Sequence, residues 1–369
     1  MRVAYVHDWL VVHGGAEKVA HEILSVFPDA DVFSLVDFLS ETDRQAFLHG
    51  KHATTSFIQR LPRARKHYRS YLPFFPLAIE QLDLRAYDLV ISSSYAVAKG
   101  VLTSSQQVHI CYCHSPMRYA WDHYQDYLED ANFGRIKRTI AQWVLHYLRN
   151  WDAAASNRVD HFIANSRNVQ RRIEKAYRRS SEVIYPPVSL EAFLPGKSKQ
   201  DHFLAYSRLV PYKRMDIILE AFRKLPEKRL ILAGGGPQEK HLRSIAPPNV
   251  EVRGEVPFTE LLELIQQAQA VVVAAHEDFG ITPLEAQACG TPVIALRAGG
   301  YLETVKEGQS GCFFSEANPD HIAEAIANFD APQYSADVLV EQVKPFSASR
   351  FRDEFRTFVA RTLESTEYF

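Results

Sequence analysis

The sequence predicts an α/β protein built from two Rossmann-like, doubly wound parallel-sheet domains facing across a cleft. Three observations carry this. Short apolar runs of strand length alternate with helical periodicities along the whole chain, the pattern of parallel strands joined by crossover helices. The pattern starts twice, as strand, loop and helix from Val3 and again from Phe203. Between the two starts, Tyr185-Pro186-Pro187-Val188 stiffens a connector with paired prolines. The domains read as 1–190 and 191–346, followed by an amphipathic segment over 347–369.

In the first half the strands fall near Val3–Val6, Val32–Leu35, Leu89–Ser92, Val108–Cys113 and His161–Ala164. A helix after Gly14-Gly15 puts Ala16, Val19, Ala20, Ile23, Leu24 and Phe27 on one face. In the second half, strands at Phe203–Tyr206, Leu230–Ala233, Val250–Val252, Val271–Ala275 and Val293–Leu296 alternate with helices, one carrying Ile217, Ile218, Ala221 and Phe222. From Ser347 to about Leu363, Phe351, Phe355, Phe358 and Val359 line one side. Each half has its own core, so a cleft between them is the natural ligand site.

Composition bounds the function. With 46% hydrophobic and 23% charged residues over 369 positions the chain is globular rather than disordered. Its net charge of −2 offers no general case for nucleic acid. No apolar run reaches the roughly 18 residues of a membrane span, and the first residues read as a strand rather than a signal peptide, so a cytoplasmic location is expected. Four cysteines are too few for a disulfide framework. Cys111 and Cys113 share one face of a buried strand and, with no second ligand pair, read as core residues rather than a zinc site. Asp29-Ala30-Asp31 has the spacing of a metal-binding acidic pair but lies before a strand, at the wrong end of the sheet, so no metal is expected.

Glu277 and Glu285, with seven residues between them, form the most informative stretch, H-E-D-F-G-I-T-P-L-E-A. It links a buried strand to a helix, where the loops of an open α/β sheet line a ligand crevice. Two acids there could hold the hydroxyls of a sugar and a ribose. Thr282-Pro283-Leu284-Glu285 also reads as a capping box, which would explain Glu285 without a ligand. It would not explain Glu277, nor the Phe279-Gly280 pair ahead of Ile281, which lets backbone approach a ligand.

Arg208 and Lys213 follow the first strand of the second half and could hold a diphosphate. A charge pair about 4 Å apart is worth roughly 4 kcal/mol at an effective dielectric near 20, enough for two cations to stabilise a departing diphosphate without metal. The alternative is a pair of solvated surface cations. Gly14-Gly15 opens a helix and could admit a phosphate or serve as a plain turn; it lacks the spacing of a dinucleotide fingerprint. Gly235 and Gly236, with Arg253 and Glu255, could shape a pocket for a base. His114, at a strand's carboxyl end before Ser115-Pro116, could bond a substrate hydroxyl.

Residues 57–75 interleave Arg60, Arg63, Arg65, Lys66 and Arg69 with aromatics, and 135–149 do the same around Trp143. Both suit an anionic membrane surface and equally suit helices docked by their aromatics with charges in solvent.

Together these residues resemble retaining glycosyltransferases of the GT-B fold, in glycosyltransferase family 4. The stretches Y-D-L-V-I-S-S-S-Y, C-H-S-P-M-R-Y-A-W-D and E-D-F-G-I-T-P-L-E-A look most like bacterial GDP-mannose-dependent mannosyltransferases of polysaccharide biosynthesis. The resemblance implies that Arg208 and Lys213 bind the donor diphosphate, Glu285 the ribose and Glu277 the donor sugar. Gly14-Gly15 would face the phosphates and His114 the reacting carbon, while the terminal segment would cross back onto the first domain. It implies a retaining, metal-independent hexosyltransferase with no cofactor beyond its donor, GDP-mannose. The acceptor would be a glycan, polyprenyl-diphosphate-linked in O-antigen or other polysaccharide assembly, with Trp121 and Asp122 lining its site and the enzyme peripheral on the membrane. A UDP-sugar transferase of the same family, a nucleotide-sugar 2-epimerase and a non-catalytic sugar-nucleotide binder are the rival readings.

Overall fold

Apolar runs of four to six residues become strands buried at almost every position, as a parallel sheet with both faces covered requires. A computed structural model describes residues 1–11, 14–130, 134–196 and 198–366. The chain divides into two units: unit 1 is Met1–Pro187 with Ser349–Phe369, and unit 2 is Val188–Ala348.

Unit 1 carries β1 (Val3–His7), β2 (Asp31–Ser34), β3 (Thr54–Thr55), β4 (Leu89–Ser94), β5 (Val108–Cys113), β6 (His161–Ala164) and β7 (Ser181–Val183). They form one parallel sheet in the order β3-β2-β1-β4-β5-β6-β7. Alternation sends Tyr5, Ile91 and Ile110 into one core and Ala4, Val6 and Val90 into another. The helix Ala348–Thr366 adds Phe351, Phe355, Phe358 and Val359 to the first of these cores. Its Arg352 pairs with Glu22, at 2.5 Å.

Unit 2 carries β8 (Phe203–Tyr206), β9 (Leu230–Ala233), β10 (Val250–Gly254), β11 (Val271–Val273), β12 (Val293–Leu296) and β13 (Gly311–Phe314). This sheet is also parallel, in the order β10-β9-β8-β11-β12-β13. Both units are therefore Rossmann-like, as the alternation of elements predicts. In each, the strand order reverses once, between β1 and β4 and between β8 and β11. Such switch points open a crevice at the strands' carboxyl ends.

The structure adds three strands that the sequence reading lacks, β3, β7 and β13. All three are edge strands, short or only partly buried, so their alternation is weak. The capping box is also corrected. The helix runs Ile281–Ala288 and is capped by Gly280 at φ +87°, which leaves Thr282 inside the helix rather than at its cap.

Candidate functional site

At the switch point of unit 2, β8 leads into the segment bearing Arg208 and the short 3-10 turn Pro211–Lys213, while β11 leads into the loop bearing Glu277. The Lys213 ammonium donates to Glu277 Oε1 at 2.5 Å, and both side chains are more than four-fifths buried. Arg208, in the same segment as Lys213, is exposed. Residues far apart in sequence thus place two cations and a carboxylate at one crevice.

The backbone around Arg208 is held by the glycine loop after β9. Leu209 N–H donates to Gly235 O (2.9 Å), Gln238 N–H to Leu209 O (3.1 Å) and Gly234 N–H to Gly254 O (2.7 Å). Gly234 sits at φ +128°, and a Cβ there would lie 1.9 Å from Ser207 O. Only glycine meets both conditions. Gly236, at φ +156°, is set as tightly, a Cβ there lying 2.4 Å from Leu209 O, while Gly235 has only the Glu255 side chain beside it, so the loop braces the backbone on both sides of Arg208.

Glu285 is half-buried on the Ile281–Ala288 helix, where Tyr206 OH reaches both its Oε2 and Thr282 O at 3.3 Å. Burial, with Glu285 adding, pushes the Tyr206 hydroxyl well above its usual range, so it stays a donor. Gly280 is required by its left-handed φ and by Tyr301, whose ring would lie 2.7 Å from a Cβ. Its freedom therefore serves packing against Tyr301. Phe279 is buried, 5.8 Å from Phe346 between ring centres. Arg253 is turned to Glu251 and Glu260, at 2.7 and 2.8 Å, on the surface. Glu255 is exposed, with an oxygen beside Gly235.

The switch point of unit 1 is built around Asp8, just after β1. Its buried carboxylate accepts four backbone N–H groups, from Tyr95, Ala96, Val97 and Ala98, at 2.6–2.9 Å. Beside it, His7 bonds Tyr5 OH at 3.0 Å and lies 3.7 Å from the buried Glu17. Gly14 precedes the helix Gly15–Val26 in extended backbone, and Gly15 is exposed. His114 follows β5, its Nε2 2.8 Å from Ser93 Oγ. Burial pushes its imidazole down to about 3, with His7 and Arg118 acting in the same direction. His114 is therefore neutral at ordinary pH, a hydrogen-bonding group rather than a cation.

Trp121 and Asp122 are both engaged within the protein. Trp121 donates to Asp152 Oδ2 at 2.8 Å, and Asp152 forms a fully buried ion pair with Lys99. Burial pulls the Lys99 ammonium down, but Asp152, with Cys113 and Cys111 adding, outweighs it and holds the group above its usual range. Asp122 pairs with Arg172 at 2.6 Å. Cys111 and Cys113 are free thiols in the core. Among the described residues no group of three or more His, Cys, Asp or Glu is arranged to hold a metal.

Three features escape the sequence reading. Asp8 could have been found as an acid ending an apolar strand. Tyr206 is hidden as the last residue of one. Gly300 N–H donates to Glu277 O at 2.8 Å, so Gly299-Gly300 after β12 anchors the Glu277 loop; two adjacent glycines after a strand were the available signal.

Two parallel-sheet units with charged residues gathered at their switch points define the GT-B class. Glycosyltransferase Family 4 matches residues 13–192, and Glycosyl transferases group 1 matches residues 189–342. The chain belongs to glycosyltransferase family 4. It is 34% identical over 169 residues to a D-inositol 3-phosphate glycosyltransferase of Mycobacterium avium, a match covering 40% of each protein. The Mycobacterium leprae counterpart is 31% identical over 196 residues, 45% of each. The chain thus spans less than half the length of these curated relatives. Sucrose-phosphate synthase from Thermosynechococcus elongatus superposes with a TM-score of 0.73 at 16% identity, over 99% of this chain and 100% of that one. Anabaena Alr3699/HepE in complex with UDP-glucose gives 0.68 at 18%, with the same coverage. At these identities the two structures speak to the fold.

These findings overturn the expectation of mannose transfer from GDP-mannose to a lipid-linked glycan. Anabaena Alr3699/HepE is solved in complex with UDP or UDP-glucose, and the curated relatives are named for inositol 3-phosphate. The physical reason is plain. The motifs that suggested GDP-mannose were read for a diphosphate, a ribose and a sugar, and such a reading carries no choice between guanine and uracil.

Proposed function

We propose that this chain transfers a hexose from a UDP-sugar to a hydroxyl of a glycan-type acceptor, with retention of anomeric configuration. The observation that carries transfer from a nucleotide-sugar is the Lys213–Glu277 pair in the segment after Arg208 at the switch point of unit 2, and the choice of uridine rests on the likeness to HepE, solved with UDP-glucose. An ammonium has three N–H donors, so Lys213 can hold Glu277 and a phosphate oxygen together. Arg208 offers a planar fork to a second phosphate oxygen. Glu285, steadied by Tyr206, accepts from ribose hydroxyls, and Glu277 accepts from a sugar hydroxyl. In unit 1, His114 offers a neutral imidazole to a hydroxyl.

In the reaction, the bond between the sugar's anomeric carbon and the β-phosphate oxygen breaks while an acceptor oxygen bonds that carbon on the same face. The acceptor proton passes to the departing phosphate, and UDP leaves. Charge builds on the diphosphate as the bond breaks, and this is where Arg208 and Lys213 act, as preorganised cations. No protein nucleophile or metal enters the scheme.

Calorimetric titration with UDP, UDP-glucose, UDP-N-acetylglucosamine, GDP and ADP, in chelator, tests the reading. Binding of a uridine nucleotide in preference to the others, lost in Arg208→Ala, is expected. Preference for another base, or full affinity in the variant, would overturn it.

A further inference from the structure

The helix Arg135–Ala155 has 21 residues, about 30 Å of length at ~1.5 Å per residue. Its inner face buries Leu145, Leu148 and Asp152. Its outer face is apolar too. Ile136, Ile140, Trp143 and Tyr147 recur at helical spacing and are all exposed, Ile136 by 79% and Trp143 by 71%. Ile140, with Lys137, Ala141 and Val144, walls a groove whose other side is Leu72, Pro73 and Tyr127. The next residue, Phe74, is also exposed.

The two segments that carry this stripe and its groove have one sign of charge, while the helix bearing Tyr127 is acidic. Segments 57–75 and 135–149 hold nine Lys and Arg and no Asp or Glu, in a chain whose net charge is −2. Arg63, Arg65, Lys66, Arg135, Lys137 and Arg138 are exposed. Carboxylates return only outside the two segments, at Glu80, within 122–130 and at Asp152.

We propose that the Ile136–Tyr147 stripe, with its flanking cations, seats the protein on an anionic lipid bilayer. A helix with one apolar side and basic flanks lies in the interface with its apolar residues among the acyl chains. Trp and Tyr favour that depth, and Lys and Arg extend to the headgroups. Among the described residues no helix is long and apolar enough to cross a membrane, so the contact lies along the surface. The proposal is independent of which nucleotide unit 2 binds.

Flotation of the full chain with vesicles tests it, comparing equal parts phosphatidylglycerol and phosphatidylcholine against phosphatidylcholine alone. Binding to the anionic vesicles is expected, weakened by salt, with Trp143 fluorescence quenched by brominated acyl chains. Ile140→Ser with Trp143→Ser is expected to abolish flotation. Lys137→Gln with Arg138→Gln is expected to weaken it, about fivefold per cation. The second pair alters only exposed side chains and carries the test if the first pair shifts the thermal melt. Absence of flotation, equal flotation on neutral vesicles, or flotation unchanged in both variants would overturn the proposal. So would a dimer in light scattering that the Ile140→Ser/Trp143→Ser variant loses, which would assign the stripe to a second copy.

Discussion

Lys213 and Glu277, 64 residues apart in sequence, meet at 2.5 Å and tie the segment after β8 to the loop after β11. Under the proposed function, a cation that binds the diphosphate is thus held by a carboxylate that binds the sugar. The two should separate on substitution. Lys213→Ala is expected to weaken UDP itself by about 10–100-fold, the loss of a hydrogen bond to a charged group. Glu277→Gln is expected to leave UDP affinity within a few-fold while lowering transfer. Calorimetry with UDP, set beside steady-state rates, separates these outcomes; equal loss of UDP affinity in both would refute the division of roles.

Gly234→Ala should act on Arg208 without touching it. The left-handed backbone costs about 1–3 kcal/mol for a residue with a Cβ, and the approach to Ser207 O adds to that. Urea unfolding is expected to show unit 2 destabilised by about 3 kcal/mol, with UDP affinity reduced in whatever protein remains folded. An unchanged urea midpoint would mean the loop bends freely.

The Lys99–Asp152 pair is held on all sides: Lys99 also donates to Ala96 O at 2.7 Å, and Tyr177 OH donates to Asp152 at 2.7 Å. Asp152→Ala leaves a buried ammonium and is expected to cost about 3–5 kcal/mol. Lys99→Met combined with Asp152→Asn should cost less than Asp152→Ala, because the amide oxygen still accepts from Trp121 and Tyr177. Comparing urea midpoints of the single and double variants decides this.

His109 and His114 give unit 1 an acid limit. Burial pushes His109 down to about 4 and His114 to about 3. Below the ordinary histidine value the unfolded chain binds protons that the folded chain refuses. Stability is therefore intact above pH ~6.5 and is lost as pH falls toward 4 and 3. His109→Gln, away from the proposed site, is expected to reduce the loss between pH 8 and 5 by about 2 kcal/mol. Parallel pH profiles for the two proteins would show that His109 is not the source.

The parts of the fold that show in the sequence are those whose burial is continuous along the chain. Val3–His7, Val108–Cys113 and Val293–Leu296 are fully buried and read plainly as strands. β3 and β7 are polar pairs and triplets that depend on a neighbouring strand for their structure. At the site, residue types and strand ends were enough to single out Arg208, Lys213, Glu277 and Glu285. What supports them was not legible, because it is made by distant backbone. Asp8 gathers N–H groups 87 to 90 residues away. Glu277 is anchored by Gly300, and Trp121, expected from the resemblance to line the acceptor site, donates its N–H to a buried acid 31 residues on. Thr282-Pro283-Leu284-Glu285 satisfied a local rule that Gly280 had already made unnecessary.

The helix Ala348–Thr366 supplies four apolar side chains to a core whose other members all lie before residue 188. During synthesis this sets an order. The first 187 residues leave the ribosome with one wall of that core missing, and unit 2, encoded without interruption, emerges whole before the wall arrives. Unit 2 can therefore close while unit 1 still exposes Ile23, Tyr5 and their neighbours to chaperones. A chain truncated after residue 348 and released should present a finished second unit joined to a first that is still open to proteases.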